Sequence, residues 1–112
     1  MFLAARFLES TDYNPNHFGT YILLGDGPPA VVPHPGPGRF AARPIPARRL
    51  TVQGVRRLRG GDGETVPRGW HVAELDDTGR PVRLAAAPAD LTRIVQALDA
   101  ARASAEVTPT EA

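Results

Sequence analysis

The chain has 112 residues, of which 42% are hydrophobic and 22% charged, which is the composition of one small globular domain. It contains no cysteine, so disulfides, thiolate zinc sites and cysteine nucleophiles are excluded. No run reaches the roughly 18 apolar residues that a membrane span needs. We therefore expect a cytoplasmic protein without membrane contact.

Charge is distributed unevenly along the chain. All thirteen basic residues are arginine, and a GC-rich genome explains the choice of arginine over lysine but not its placement. Residues 39–68 hold eight arginines against two acidic residues, a net charge of +6, whereas the segments before and after carry −2 and −3. The formal net charge of +1 therefore conceals a basic middle between two acidic flanks.

The first half of the chain predicts two strands followed by a proline-rich arm. Residues 2–8 and 20–24 are apolar and β-branched or aromatic, and the stretch between them is rich in turn-forming residues. Seven prolines then fall between Pro28 and Pro46. Because proline lacks a ladder N–H, we expect residues 28–47 to form an extended surface arm. The same composition also fits a ligand for an aromatic groove.

From residue 48 the pattern has a period of two. The apolar residues Leu50, Val52 and Leu58 are at even-numbered positions, which lie on one face of a regular strand. Arg49, Arg57 and Arg59 are at odd-numbered positions, on the other face. Gly54 marks a possible bulge site. This predicts a half-buried strand with a basic outer face.

The last third predicts a β-hairpin and a helix. Strands over 70–75 and 81–86 flank a turn around residues 77–79. Residues 88–106 then place Leu91, Ile94, Val95, Leu98 and Ala101 on one helical stripe.

Together the predicted elements make an α+β domain over residues 1–105. An antiparallel sheet of about four or five strands carries one C-terminal helix packed on a face, and residues 106–112 form a frayed tail.

Motifs for metals and catalysis are weak. Asp12, Asn14 and Asn16 have the spacing of a calcium loop, but His17 replaces the required glycine and Leu23 the bidentate glutamate. No two histidines have zinc-ligand spacing, so we expect neither a metal nor a cofactor. An active site built from arginine and the carboxylates Glu74, Asp76 or Asp77 would have no recognisable sequence motif. Carboxylates beside a hairpin turn normally face solvent, however, so we expect no enzyme.

The arginines of the basic middle are the strongest candidate site. Fixed guanidinium groups hold phosphates, and an exposed aromatic ring stacks on unpaired bases. We therefore predict a binding module for nucleic acid, preferably single-stranded. Its candidate contact residues are Arg39, Phe40, Arg43, Arg48, Arg49, Arg57, Arg59, Arg68 and Trp70.

Two other readings stay open for the same arginines. First, charged side chains on an exposed edge strand prevent that strand from pairing with another sheet, and the arginines would serve this purpose. Alternatively, the basic middle binds an acidic protein surface, or the acidic flank of a second copy in a homodimer, as an assembly subunit.

The order of the last elements, a meander followed by a helix, resembles that of small single-stranded DNA binders of the Whirly and positive-coactivator kind. In those proteins a curved sheet holds the nucleic acid and the helix dimerises, so the resemblance implies the same use of sheet and helix in this chain.

Overall fold

The computed structural model describes residues 1–9, 20–25, 28–33, 44–47, 49–60 and 66–106. The elements in these ranges are seven strands and one helix: β1 (Phe2–Phe7), β2 (Thr20–Leu23), β3 (Ala30–Pro33), β4 (Ile45–Pro46), β5 (Leu50–Arg57), β6 (His71–Asp77), β7 (Arg80–Ala86) and α1 (Pro88–Glu106).

All the strands belong to one antiparallel sheet with the order β4-β3-β2-β1-β7-β6-β5. The predicted α+β class, with one helix and an antiparallel sheet, is confirmed in the described residues. The predicted number of strands is wrong, because the described sheet has seven rather than four or five.

The two additional strands come from the proline-rich arm. The apolar residues of β3 pair with β2, where Val31 lies opposite Ile22, and the short strand β4 pairs with β3 on its other side. Pro33 ends β3, and Pro46 belongs to a two-residue strand at the edge of the sheet. Strand ends and edges are the positions where a missing N–H costs least. The prediction for residues 28–47 was an extended surface arm; of its described residues, Ala30–Pro33 and Ile45–Pro46 are strands of the sheet instead.

The connection between β4 and β5 shows that the sheet curls. These strands are the two edges of the sheet, yet only residues 47–49 separate them along the chain. Four Cα–Cα steps reach at most about 15 Å, whereas six strand spacings in a flat sheet would span about 29 Å. The sheet accordingly forms a half-barrel.

The helix packs against the concave face of this half-barrel. Its bounds, Pro88–Glu106, match the predicted segment, and Leu91, Ile94 and Leu98 of the predicted stripe are buried. They join one apolar core with side chains from strands across the sheet, including Leu3, Ile22, Val31, Leu50, Leu75, Val82 and Leu84. The helix therefore closes the core over β5, β6 and β7.

The predicted hairpin is confirmed as β6 and β7. Their two-residue turn has positive φ angles at Thr78 (54°) and Gly79 (91°), as a type I′ turn requires. The backbone N–H of Gly79 donates to Oδ2 of Asp76 at 2.8 Å, which stabilises the turn. The opposite, convex face of the hairpin carries a second, smaller cluster of buried residues, Val66, Val72 and Ala85.

Candidate nucleic-acid interface

A β-bulge divides the arginine-rich strand β5 into two parts. Val52 lies opposite Leu75 and Gly54 lies opposite Glu74, so Gln53 is an extra residue without a counterpart on β6. An extra residue moves every later side chain to the other face of the sheet.

The two apolar clusters show this inversion directly. Leu50 and Val52 contact the concave core, whereas Leu58 packs on the convex cluster. The prediction that these three residues share one face is therefore wrong, and the bulge beside Gly54 is the reason.

The bulge and the length of the strand also separate the predicted arginines. Arg49 lies at the beginning of β5, where its Nε is 3.3 Å from Oδ1 of Asp77. Arg57 is eight residues further along, about 25 Å away in an extended strand. Arg49 and Arg57 therefore do not form one short phosphate site.

Three of the predicted arginines lie at the other end of the β5–β6 pair. Arg57 pairs with His71, Arg59 follows two residues later, and Arg68 precedes His71 by three residues. This register puts the Cα atoms of Arg57 and Arg68 within about 16 Å of each other. All three side chains are exposed. We call Arg57, Arg59 and Arg68 the basic corner.

Within the described ranges, Arg57 and Arg68 form no ion pair. Other arginines of the sheet are held by carboxylates. The Nε of Arg56 is 3.0 Å from Oε2 of Glu74, and its side chain is only 14% exposed. Charge that is already neutralised by a neighbouring carboxylate is less available to a phosphate, so Arg57 and Arg68 are more accessible to an anion than Arg56 is.

Arg83 is held in the same way. Its guanidinium donates to Oε2 of Glu9, and its backbone N–H donates to Oε1 of that carboxylate at 2.8 Å. This pair ties the end of the first strand segment to β7.

The predicted aromatic contact Trp70 lies beside the basic corner. It is half-buried and packs against the convex cluster, and its backbone N–H donates to the carbonyl of Pro67 at 3.3 Å. Arg68 precedes it by two residues. The other predicted contacts, Arg39, Phe40, Arg43 and Arg48, lie outside the described residues.

The three carboxylates considered for an enzyme site have contacts within the sheet. Glu74 pairs with Arg56 and Asp77 with Arg49, and Asp76 accepts the hydrogen bond from the turn at Gly79. In the ranges described, no three histidine or acidic side chains lie close enough together to hold a metal ion. Nor does the described helix have the length and apolarity to cross a membrane.

An exposed aromatic pair was missed by the reading of the sequence. Phe2 and Tyr21 lie on the convex face, with ring centroids 6.5 Å apart and the planes at 86°. The signal was the alternation in β1, where Leu3, Ala5 and Phe7 are buried and Phe2 has the opposite parity. The alternation shows that Phe2 points outward, but it does not show that Tyr21 of the neighbouring strand lies beside it.

No family model, curated protein or solved structure matches this chain.

Proposed function

We propose that this protein is a small non-enzymatic module that binds single-stranded nucleic acid through the basic corner. The observation that supports the proposal is the contrast among the arginines. Among the residues that the structure describes, Arg57 and Arg68 are exposed and form no ion pair, while Arg49, Arg56 and Arg83 are paired with carboxylates. Exposed guanidinium groups at one end of the β5–β6 pair are suited to charge-assisted hydrogen bonds with phosphate oxygens.

A single strand fits the corner better than a duplex does. Reading a duplex requires an element that enters a groove, most often a helix. The apolar stripe of α1 is packed on the sheet, and its exposed side mixes Arg93 and Arg102 with Asp99. That mixture of charges is poorly suited to a polyanionic groove. Trp70 follows Arg68 by two residues and is only half-buried, so its exposed part would stack on an unpaired base.

The test is a fluorescence-anisotropy titration of a labelled single strand and a labelled duplex across a salt series. The variant Arg57→Ala, Arg59→Ala, Arg68→Ala removes the corner. A matched variant, Arg80→Ala, Arg93→Ala, Arg102→Ala, removes the same charge from exposed arginines elsewhere. We expect the corner variant to bind more weakly and its salt slope to be smaller by about 2, because each phosphate contact to a single strand contributes about 0.7.

Equal losses in the two variants would show a non-specific charge effect and contradict the proposal. Absence of binding by the wild-type chain at low salt would contradict it as well.

A second candidate function, protein interaction or assembly, is favoured by the edge of the sheet. β5 is the last strand in the sheet order, and Val55 in its second half is 51% exposed. An edge strand of this length can accept an extended segment from a partner or from another copy. Sedimentation of the wild-type chain over a range of concentrations detects self-association directly.

A further inference from the structure

The two edges of the described sheet are protected to different degrees. The edge strand β4 has only two residues, and Pro44 and Pro46 provide no backbone N–H groups there. The opposite edge strand, β5, has eight residues and no proline. Among the described strands, none pairs with the outer side of β5. Of these two edges, β5 therefore offers the longer row of backbone groups for hydrogen bonds with an added strand.

The second half of β5 carries an apolar side chain at the margin of the concave core. Val55 lies opposite Ala73, which is fully buried, so Val55 is on the face against which α1 packs. Val55 is nevertheless 51% exposed, and Val52 and Val95, which pack on the same core, are only partly buried. An added strand would cover this surface, because residues directly opposite each other in paired strands have Cβ atoms about 5 Å apart.

A cation lies beside Val55 on the same face of the sheet. Arg57 follows Val55 by two residues, and both come after the bulge at Gln53, so their side chains share one face. Arg57 is exposed and forms no ion pair with any described residue. An added strand that places an apolar residue opposite Val55 is therefore best matched when an acidic residue lies opposite Arg57.

A second copy of this chain does not supply such a strand from either edge of its described sheet. β5 contains no acidic residue, so pairing of β5 with its counterpart would bring arginines together and leave Arg57 without an opposite charge. β4 is two residues long and ends in proline. Charged side chains on an edge repel another copy, but the same charge attracts an acidic segment. The charge of this edge favours a partner other than the chain itself.

We infer that the outer edge of β5, from Gly54 to Arg57, binds an extended acidic segment of another protein as an added antiparallel strand. Every strand pair in the described sheet is antiparallel, and an antiparallel partner runs opposite to β5. From its amino end, the bound segment therefore has an acidic residue, then any residue, and then an apolar residue. This inference does not depend on nucleic-acid binding, and it uses only Arg57 of the basic corner.

The test compares two peptides of identical composition, both acetylated and amidated so that glutamate is their only charged group. One is Thr-Thr-Glu-Thr-Ile-Thr-Thr, and the other has the reversed order, Thr-Thr-Ile-Thr-Glu-Thr-Thr. Antiparallel pairing places isoleucine opposite Val55 and glutamate opposite Arg57 only in the first peptide. Each is titrated into the isotope-labelled full chain and followed by NMR. We expect the first peptide to bind about 3- to 20-fold more tightly and to shift the amide signals of residues 54–57 most.

A charge variant and a backbone modification assign the contacts. Arg57→Gln should weaken binding of the first peptide about 2- to 5-fold and reduce its advantage over the reversed one. The matched control Arg93→Gln removes one charge from an exposed arginine of α1 and should bind like the wild type.

N-methylation of the first peptide tests the backbone pairing while the protein stays unchanged. Only one set of alternate N–H groups in an edge-bound strand faces β5. Methylation of that set should weaken binding about 10-fold or more, and methylation of the other set should have little effect.

Several outcomes would overturn the inference. These are equal or tighter binding of the reversed peptide, amide shifts confined to another part of the chain, and no binding of either peptide at millimolar concentration. If the peptides fail while Arg57→Gln weakens oligonucleotide binding, Arg57 serves the proposed function alone, and the inference is wrong. If the first peptide binds as expected and no oligonucleotide binds, the inference stands and the proposed function is wrong.

Discussion

The two faces of the sheet are covered very differently. The concave face buries apolar side chains from both halves of the sheet under one helix. The convex face buries only Val66, Val72 and Ala85, with Leu8, Leu58 and Trp70 partly buried around them, while Phe2 and Tyr21 remain exposed. The one described helix covers only the concave face. Apolar side chains on the convex face can therefore stay exposed, and exposed apolar patches often mark interaction surfaces.

The largest expected effect is on the concave face. Leu84 is 1% exposed in the centre of the sheet, so Leu84→Ala should lower the free energy of unfolding by about 3 kcal/mol through lost burial and an unfilled cavity. Urea denaturation followed by far-ultraviolet circular dichroism measures this. A loss below about 1 kcal/mol would mean that the concave core is not closed as described.

The covered part of the convex face should respond less strongly. Val66→Ala removes two methyl groups from a cluster of three buried residues, which should cost about 1 to 2 kcal/mol. Because Trp70 is the only tryptophan and packs on this cluster, its emission should shift to the red in the same variant. An unchanged emission spectrum together with unchanged stability would show that Val66 does not cover this face in solution.

The exposed part of the convex face should contribute least to stability. Phe2→Ala should change the free energy of unfolding by less than about 0.5 kcal/mol, since the ring already lies mostly in water and only its contact with Tyr21 is lost. The same denaturation experiment measures it, with Leu84→Ala as the destabilised reference. If Phe2→Ala lost as much free energy of unfolding as Leu84→Ala, the Phe2 ring would be buried in a core, and the two faces of the sheet would not differ in how well they are covered.

The sequence by itself determined the elements whose contacts are local. The helix over Pro88–Glu106 follows from a 3.6-residue apolar stripe, and the hairpin follows from alternation on both sides of a turn that ends in Gly79. Both signals come from residues a few positions apart, so a short window contains them. Part of the candidate site was accessible in the same way, because Arg57, Arg59 and Arg68 flank one connection between neighbouring strands.

The tertiary structure decided what depends on distant partners. Strand β3 forms because β2 offers it a hydrogen-bonding edge, and β4 then pairs with the free edge of β3. The prolines of that segment give no sign of this pairing. The bulge at Gln53 reverses the faces of β5 after it, so sequence parity assigned Leu58 to the wrong side.

The exposure of Phe2 and Tyr21 was decided in the same way. Which face of a strand meets the helix is set by pairing between residues far apart in the chain, and a one-residue change in register exchanges buried and exposed side chains. Which side chains lie on the exposed face is therefore a property of the folded sheet, whereas the charge of the basic middle is already present in the sequence.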